Sequence, residues 1–345
     1  MKLGMPLSYA GGFKEAAQQA SELESAGLDM VWVAEAYGFD GVSFMGYLAA
    51  VTERVEIAAG ILPIYTRTPT LLAMSAAGVD ALSDGRCVLG LGASGPQVIE
   101  GWHGVPYDKP LQRTREIIEI CRAVWRRERV SYDGKAYHLP LPEGQGTGLG
   151  KPLKMIARPV RERIPIYVAS LGPKNVELTA EVADGWLPIF FDPDKAAGVW
   201  GDDLAAGAAK RSPDLGPLEI AVQAMVAVGD DAAMVRDLAR PMLALYIGGM
   251  GARGRNFYND LAVRYGYEAE AKEIQDLYLD GKKDEAAKVV PAELLEAITL
   301  CGPEGYVRER IAAHKAAGVT ILNVTPVAQD VPALVGQLRQ WVEDA

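Results

Sequence analysis

Val55-Glu-Ile-Ala-Ala-Gly-Ile-Leu62, then Pro69-Thr-Leu-Leu-Ala-Met-Ser-Ala-Ala-Gly-Val-Asp-Ala-Leu82, then Cys87-Val-Leu-Gly-Leu-Gly92 is the stretch that decides the fold. The first and last pieces are short apolar runs with little polar alternation, the pattern of strands covered on their outer face in a parallel sheet. The middle piece is long enough for a helix and stops at Ser83-Asp84-Gly85, a turn. Strand, helix and strand together form one unit of an α/β protein.

The same unit recurs in both directions. Toward the N-terminus, Leu3–Leu7 and Met30–Val33 read as strands. The run Phe13–Ser25, closed by Ala26-Gly27, and the run Ser43–Val51 read as helices. Toward the C-terminus, Leu111–Arg126 reads as a long amphipathic helix, and Ile164–Val168, Gly185–Phe190, Leu218–Val228 and Val319–Val324 as strands. About eight strands, each followed by a helix, is the count of a (β/α)8 TIM barrel. An open doubly wound sheet is the alternative, but no GxGxxG opens the first helix.

Two segments break the repeat, one after strand four and one after strand seven. Residues 129–163 hold Tyr132-Asp133-Gly134-Lys135 and a Gly/Pro-rich stretch, Pro140–Pro152, and read as a hairpin and a long loop. Residues 230–300 include Glu268–Val289, whose Ala, Glu, Lys and Leu spacing reads as extra helices. Residues 1–345 are taken as one domain. The inserts either roof the C-terminal face of the barrel or pack beside it and mediate a dimer.

The chain of 345 residues carries 35 Lys+Arg against 45 Asp+Glu, a formal charge of −10, with 49% hydrophobic and 23% charged residues. That balance suits a large packed core and excludes disorder as the main state. An acidic surface repels phosphate, so nucleic acid is not an expected partner, and any anionic ligand must be held by local donors. Cys87, Cys121 and Cys301, like His103, His138 and His314, are too scattered for a metal site, and none is expected. The N-terminus lacks the pattern of a signal peptide and no run approaches a membrane span, so the expectation is a cytoplasmic protein with no membrane partner.

In a barrel of this kind active sites lie at the C-terminal ends of the strands. Strand four ends Ala93-Ser94-Gly95-Pro96-Gln97, and strand five ends Ser170-Leu171-Gly172-Pro173-Lys174, directly before a helix. Glycines let backbone approach a ligand, and a helix N-terminus with free amides takes an anion without net positive charge. Ser170 as an N-cap and Gly172 as a turn residue is the plainer reading of the second loop. Strand three contains Gly60-Ile61, a small-then-bulky step that brings backbone close to a flat ring or marks a bulge. Glu35, at the end of strand two, faces the mouth or pairs with Arg67. Arg86 lies at the opposite end of its strand and reads as structural, with Asp80 as its partner. Trp102 and His103 either wall the pocket or are structural. There is no GxSxG elbow, Walker lysine or Cys–His pairing; binding loops without a nucleophile suit cofactor-based redox chemistry.

The block Arg67-Thr-Pro69, Ala73, Ala76-Ala77, Asp80, Leu82–Arg86, Leu89–Gly92 resembles the central signature of the luciferase-like monooxygenase family, the bacterial luciferase-like flavin barrels. Ser94–Gln97 with Glu100-Gly101-Trp102, Ala183–Trp186, and Gly302-Pro303-Glu304 with Ala317-Gly318-Val319 resemble further landmarks. The loop after strand four is similar to the branch that uses the deazaflavin coenzyme F420. The resemblance spans essentially the whole chain. It implies an oxidoreductase that moves a hydride between coenzyme F420 and a small organic substrate. The alternatives are an FMN-dependent monooxygenase of the same fold and a non-catalytic barrel that binds a flavin or deazaflavin. It further implies a cis peptide at Gly60-Ile61 behind the ring, and a cofactor set of Glu35, Ala36, Gly60, Ile61, Ala93, Ser94, Gly95, Gln97, Ser170, Leu171, Gly172 and Lys174. Glu35 is the candidate catalytic residue, Ala36 stands where many relatives have His, and a homodimer is expected. Lys174, Arg253 and Arg255 are candidates for the coenzyme's poly-glutamate tail. Tyr246, Met250, Phe257 and Tyr258 in the second insert either roof a pocket suited to a fairly apolar molecule or belong to the core.

Overall fold

A computed structural model describes residues 1–8 and 10–345. Eight parallel strands form a ring: β1 (Lys2–Pro6), β2 (Met30–Val33), β3 (Glu56–Ala59), β4 (Cys87–Gly92), β5 (Ile166–Ala169), β6 (Gly185–Leu187), β7 (Glu219–Val228) and β8 (Ile321–Pro326). Each pairs with its sequence neighbour, and β8 pairs with β1 at Lys2↔Ile321 and Gly4↔Asn323, which closes the barrel. The open-sheet alternative is thereby excluded.

Eight helices follow the strands in turn: α1 (Phe13–Ser25), α2 (Gly41–Val51), α3 (Pro69–Leu82), α4 (Pro110–Trp125), α5 (Pro173–Val182), α6 (Ala196–Ala208), α7 (Glu304–Ala316) and α8 (Val331–Asp344). Local chemistry starts several of them. Asp40 accepts the Ser43 N–H at 2.7 Å at the head of α2, and Thr68 caps α3 ahead of a proline at its first position. Leu72, Ala73, Ala76, Ala77 and Val79 of α3 are buried at helical spacing in the layer between helices and barrel. Among the described residues no helix is long and apolar enough to cross a membrane.

The barrel interior is layered by strand alternation. Lys2 and Glu56 pair at 2.7 Å at the N-terminal end, where the Tyr167 hydroxyl also bonds Glu219. Above them Met30, Trp32, Ala58, Val88, Tyr167, Ala221 and Ile321 form one buried cluster. The next inward positions are Ala34, Gly60, Gly92 and Ala169 on one side, and Gln223 and Thr325 on the other. Small residues replace large ones on the first side, where Ala34, Gly60 and Ala169 are only half-buried, and Gln223 and Thr325 are exposed on the other, so the buried core stops there.

Three element boundaries differ from the sequence reading. The third strand does not run unbroken from Val55 to Leu62: it divides at a cis peptide between Gly60 and Ile61, and Leu62–Pro63 then pairs with β4. The sixth ends at Leu187 rather than Phe190, because Pro188 has no N–H to extend the ladder. A short strand, Leu300–Gly302, closes the second insert by pairing with β7; its three buried residues were too few to register as a strand. The hairpin in the first insert is present, as Tyr132–Asp133 paired with His138–Leu139. Glu268–Val289 divides into two helices, Glu268–Leu279 and Lys283–Val289.

Candidate active site

At the C-terminal end of β3 the chain turns inward at the cis Gly60-Ile61 step. The Glu35 N–H donates to the Ile61 carbonyl at 3.3 Å, and the Gly60 N–H donates to Val33 at 2.7 Å, so β2 holds both sides of the step. A Cβ on Gly60 would lie 3.2 Å from Trp32 Cε3, which puts the indole directly beneath. On the β4 side, a Cβ on Gly90 would sit 1.8 Å from the Ala59 carbonyl oxygen, and one on Gly92 would sit 2.9 Å from Ile61 Cγ1. Gly90 is therefore required by close approach of the β3 backbone, and Gly92 by the Ile61 side chain packed against it. The result is a wall of main chain and small residues with the Ile61 side chain laid against Gly92, a surface shaped for a flat ring.

The ends of β4 and β5 adjoin this wall, since Leu91 is in register with Val168. In the β5 loop the carbonyls of Ser170 and Leu171 are turned into the protein, accepting from Trp186 Nε1 at 2.9 Å and Trp200 Nε1 at 3.1 Å. A trans peptide plane sets each following N–H opposite its carbonyl, so the amides of Leu171 and Gly172 face away from that packing. Neither has an acceptor among the described residues, and the same holds for Ser94 and Gly95. Ser94 is in the left-handed region at φ 57°. Gly172 caps α5 without a side chain of its own, adding the helix N-terminus to the set. Four unpartnered donors on adjacent loops fit a phosphate. The Ser170 hydroxyl is not among them: it is buried and shares a 2.8 Å hydrogen bond with Thr179 Oγ1. Ala93 is half-buried behind these donors, while Gln97 and Lys174 are exposed.

Glu35 is held by Arg67. Its two carboxylate oxygens each accept from the guanidinium at 2.7 Å, and Oε2 also accepts the Gly41 N–H at 2.8 Å. The side chains are 8% and 12% exposed. The Glu35 hydrogen bonds, ahead of an opposing desolvation effect, raise the Arg67 pKa. Arg67 also reaches Asp40; burial works against that carboxylate, but hydrogen bonds from Ser43 and the Arg67 charge hold its pKa below the usual value. Of the two readings of Glu35, the structure presents the Arg67 pair. Neighbouring Ala36 is half-buried and offers no titratable group.

The second insert reaches the mouth. Phe257 lies 3.6 Å from where a Gly172 Cβ would be, and Tyr246, Tyr258 and Phe190 pack edge to face with centroids 4.7–6.3 Å apart. Burial, then the Tyr246 and Tyr107 phenols, push the Tyr258 pKa up, so the roof spans from the insert toward the β4 side. Met250 is partly exposed nearby in sequence, and Arg253 is engaged by Asp276 at 2.9 Å, whereas Lys174 and Arg255 have no ionic partner among the described residues. Exposed Trp102 stands 6.4 Å from the Tyr37 ring, and His103 turns a buried Nε2 inward without a partner among the described residues. Arg86 is structural, but Asp80 is not its partner. Arg86 donates to the carbonyls of Ala49, Thr52, Val55 and Ser83, while Asp80 binds Arg161 and the Cys87 N–H. The first insert supplies Arg161, a partner that adjacency in sequence does not reveal.

Sequence reasoning missed two inward groups. Trp32 Nε1 and Asn323 Oδ1 are buried and unpartnered among the described residues. The only clue was an asparagine inside the otherwise apolar Ile321-Leu-Asn-Val324.

Residues 1–320 match the luciferase-like monooxygenase family, and the chain belongs to it. A Mycobacterium tuberculosis protein provisionally named a coenzyme F420-dependent oxidoreductase is 44% identical over 346 residues, covering 97% of this chain and 99% of that one. The 5,10-methylenetetrahydromethanopterin reductase of Archaeoglobus fulgidus is 29% identical, covering 96% of this chain and 95% of its own. Among solved structures, the coenzyme F420-dependent tetrahydromethanopterin reductase of Methanopyrus kandleri superposes with a TM-score of 0.81 at 21% identity, over 99% of this chain and 98% of that chain. That likeness speaks for the fold.

Proposed function

We propose that the protein is a coenzyme F420-dependent oxidoreductase that moves a hydride between the deazaflavin and a neutral organic substrate. The observation that carries this reading is the backbone wall at Gly60-Ile61 beside four free amides. The 44% identity to the mycobacterial relative favours the deazaflavin over FMN. When bound, the coenzyme supplies or accepts hydride at its ring carbon.

The chain's own residues do the positioning. Gly60-Ile61, backed by Trp32, sets the plane of the ring, with Ala36 at its edge. The amides of Ser94, Gly95, Leu171 and Gly172 hold the phosphate, with Lys174 above them. Ala93, Gln97 and the Ser170 backbone line the chain that joins ring to phosphate. Glu35 acts through Arg67 and through its N–H on Ile61, and is a positioning residue. The insert aromatics exclude water from the ring edge, which strengthens every polar contact inside.

Titrating the protein with oxidised coenzyme F420 and following its fluorescence tests the reading. Saturable quenching, with FMN binding more weakly, is expected. No saturation below high micromolar concentration, or tighter binding of FMN, overturns it. We also propose a cytoplasmic homodimer joined through barrel helices, supported by exposed Leu71, Met74 and Leu82 on α3; light scattering on the eluting protein decides between one copy and two.

A further inference from the structure

β7 is the longest strand of the ring, and its end runs on past the level of the ring wall. Its odd-numbered residues face inward: Ala221 lies in the interior cluster, Gln223 is exposed at the level of the wall, and Met225 and Ala227 continue the row. On β8 the same face runs from Thr325 to Val327, whose N–H donates to the Val226 carbonyl at 2.8 Å. Ala227 packs against Ala232 and Cys301, with Met225 and Val235 partly buried beside them. The helical turns Ala232–Ala239 that open the second insert therefore lean over the inward face of β7.

That arrangement leaves a cleft of about 610 Å³ whose walls include Ala227, Met234, Val235, Leu238 and Val327. Met234 is 73% exposed and Leu238 65%, and Met242 and Leu245, both exposed, carry the row on at helical spacing. Large apolar side chains grouped in water on one face mark a binding surface rather than a core. In a ring of eight strands β7 and β8 lie opposite β3 and β4, so the cleft stands across the mouth from the Gly60-Ile61 wall. Gln223 and Ala227 are four residues apart, roughly 13 Å along a strand. The inward residues on that path are open to solvent, since Gln223 and Thr325 are exposed and Met225 is only half-buried.

We propose that this cleft holds the apolar body of an elongated, uncharged substrate whose reacting end reaches toward the ring wall past Gln223 and Thr325. The proposal deepens the oxidoreductase reading and rests on it for the reaction, but not for binding in the cleft. Ala227, Met234, Val235, Leu238 and Val327 supply no hydrogen-bonding side chain and no counter-ion, so affinity there comes from hydrocarbon leaving water. Asp230 and Asp231, exposed at the lip, repel an anionic group, which disfavours fatty carboxylates and phosphate esters. A compact polar molecule leaves the cleft empty. A neutral alcohol or ketone on a medium-length chain uses both levels, with its oxygen near the Gln223 and Thr325 side chains and its chain across Met234 and Leu238.

The test is a series of 2-alkanols from butan-2-ol to octan-2-ol, titrated by calorimetry into the full chain without coenzyme, with octanoate as the anionic comparison. Each added methylene should tighten binding about 2–4-fold, as burial of hydrocarbon does, and octanoate should bind more weakly than octan-2-ol. Carbon-13 NMR of the methionine methyl groups, with the Met234 signal assigned by its loss in Met234→Leu, should show that signal displaced by octan-2-ol. Met234→Gln combined with Leu238→Asn, both at exposed positions, should remove most of the gain from butan-2-ol to octan-2-ol in a protein that melts as its parent does. Affinity that ignores chain length overturns the proposal, as does an unmoved Met234 signal, octanoate binding as tightly as octan-2-ol, or a full gain retained in the folded double variant. A Met234 signal that moves on dilution of the protein alone assigns the row to a second copy of the chain and also overturns it. Chain-length dependence without quenching of coenzyme F420 supports the cleft and removes the cofactor reading. Quenching without chain-length dependence does the reverse.

Discussion

Replacing Gly90 with alanine tests whether the ring wall is built by backbone contact. The added Cβ would lie 1.8 Å from the Ala59 carbonyl oxygen and 2.8 Å from its carbon, where real Cβ atoms essentially never come within 3.0 Å. The obstacle is main chain, and the following Gly60 is tied to Val33, so no side-chain rotation relieves it. Overpacking of this kind costs ~1–3 kcal/mol, and a backbone obstacle points to the upper end. With an unfolding entropy of ~2.1 cal/mol/K per residue, ~3 kcal/mol lowers Tm by about 4 °C in a chain of this length. Gly78 supplies the matched comparison: it is exposed in α3 with nothing within 4 Å of a built Cβ, so Gly78→Ala should gain ~0.5–1 kcal/mol. Thermal melting and coenzyme F420 quenching are measured on both. Gly90→Ala should melt lower and bind at least ~10-fold more weakly, a loss of ~1.4 kcal/mol; Gly78→Ala should melt slightly higher with unchanged binding. Equal melting and equal affinity in the two variants would refute the close approach of β3 to β4 as the origin of the wall.

Gly172 has φ −73°, which proline tolerates, so Gly172→Pro should remove one amide donor while keeping the turn. Affinity for coenzyme F420 should fall ~10-fold or more, as expected for a charge-assisted hydrogen bond, while the phosphate-free ring and ribityl fragment binds unchanged; equal losses for both would argue against a phosphate at this loop. Glu35→Ala leaves a largely buried Arg67 with Asp40 as its one counter-ion among the described residues, and should cost ~3 kcal/mol in urea unfolding. Arg67→Lys should recover little for Glu35's partner site because the paired geometry is lost, and a Glu35→Ala protein as stable as its parent would contradict this role. Burial, opposed only in part by the Arg310 carbonyl, lowers the His314 pKa to about 4 from 6.5. The unfolded chain then binds the proton first, so stability is full above pH 6.5 and falls by ~3 kcal/mol as pH drops to 4. His314→Gln should flatten that part of the pH profile, and an unchanged profile would show that His314 is not its source.

The barrel was legible because its strands announce themselves twice, by apolar continuity and by the helix that follows each. The Gly60-Ile61 step drew attention by its residues, but its cis peptide was legible only through resemblance to a family; apolar residues on both sides made Val55–Leu62 read as one strand. Likewise the glycines of β4 were visible in the sequence, while the reasons for them, the Ala59 carbonyl at Gly90 and the Ile61 side chain at Gly92, come from another part of the chain. The amide donors show the opposite case. Ser170-Leu171-Gly172 pointed to an anion site by composition, yet the Ser170 hydroxyl faces Thr179, and the free amides result from Trp186 and Trp200 drawing the carbonyls inward. Those tryptophans lie 16 and 29 residues downstream of their acceptors, beyond the reach of a local motif.

Ala36 changes what the site asks of its substrate. At the level of the ring wall the inward positions are Ala34, Gly60, Gly92, Ala169, Gln223 and Thr325, none of which titrates near neutral pH. Among them the protein offers hydrogen bonds but no strong acid or base. Glu35 is nearest in sequence, and its carboxylate already accepts from Arg67 and the Gly41 N–H. In the proposed hydride transfer, an accompanying proton would therefore pass through solvent at the exposed Gln223 and Thr325 rather than through a titrating side chain at this level.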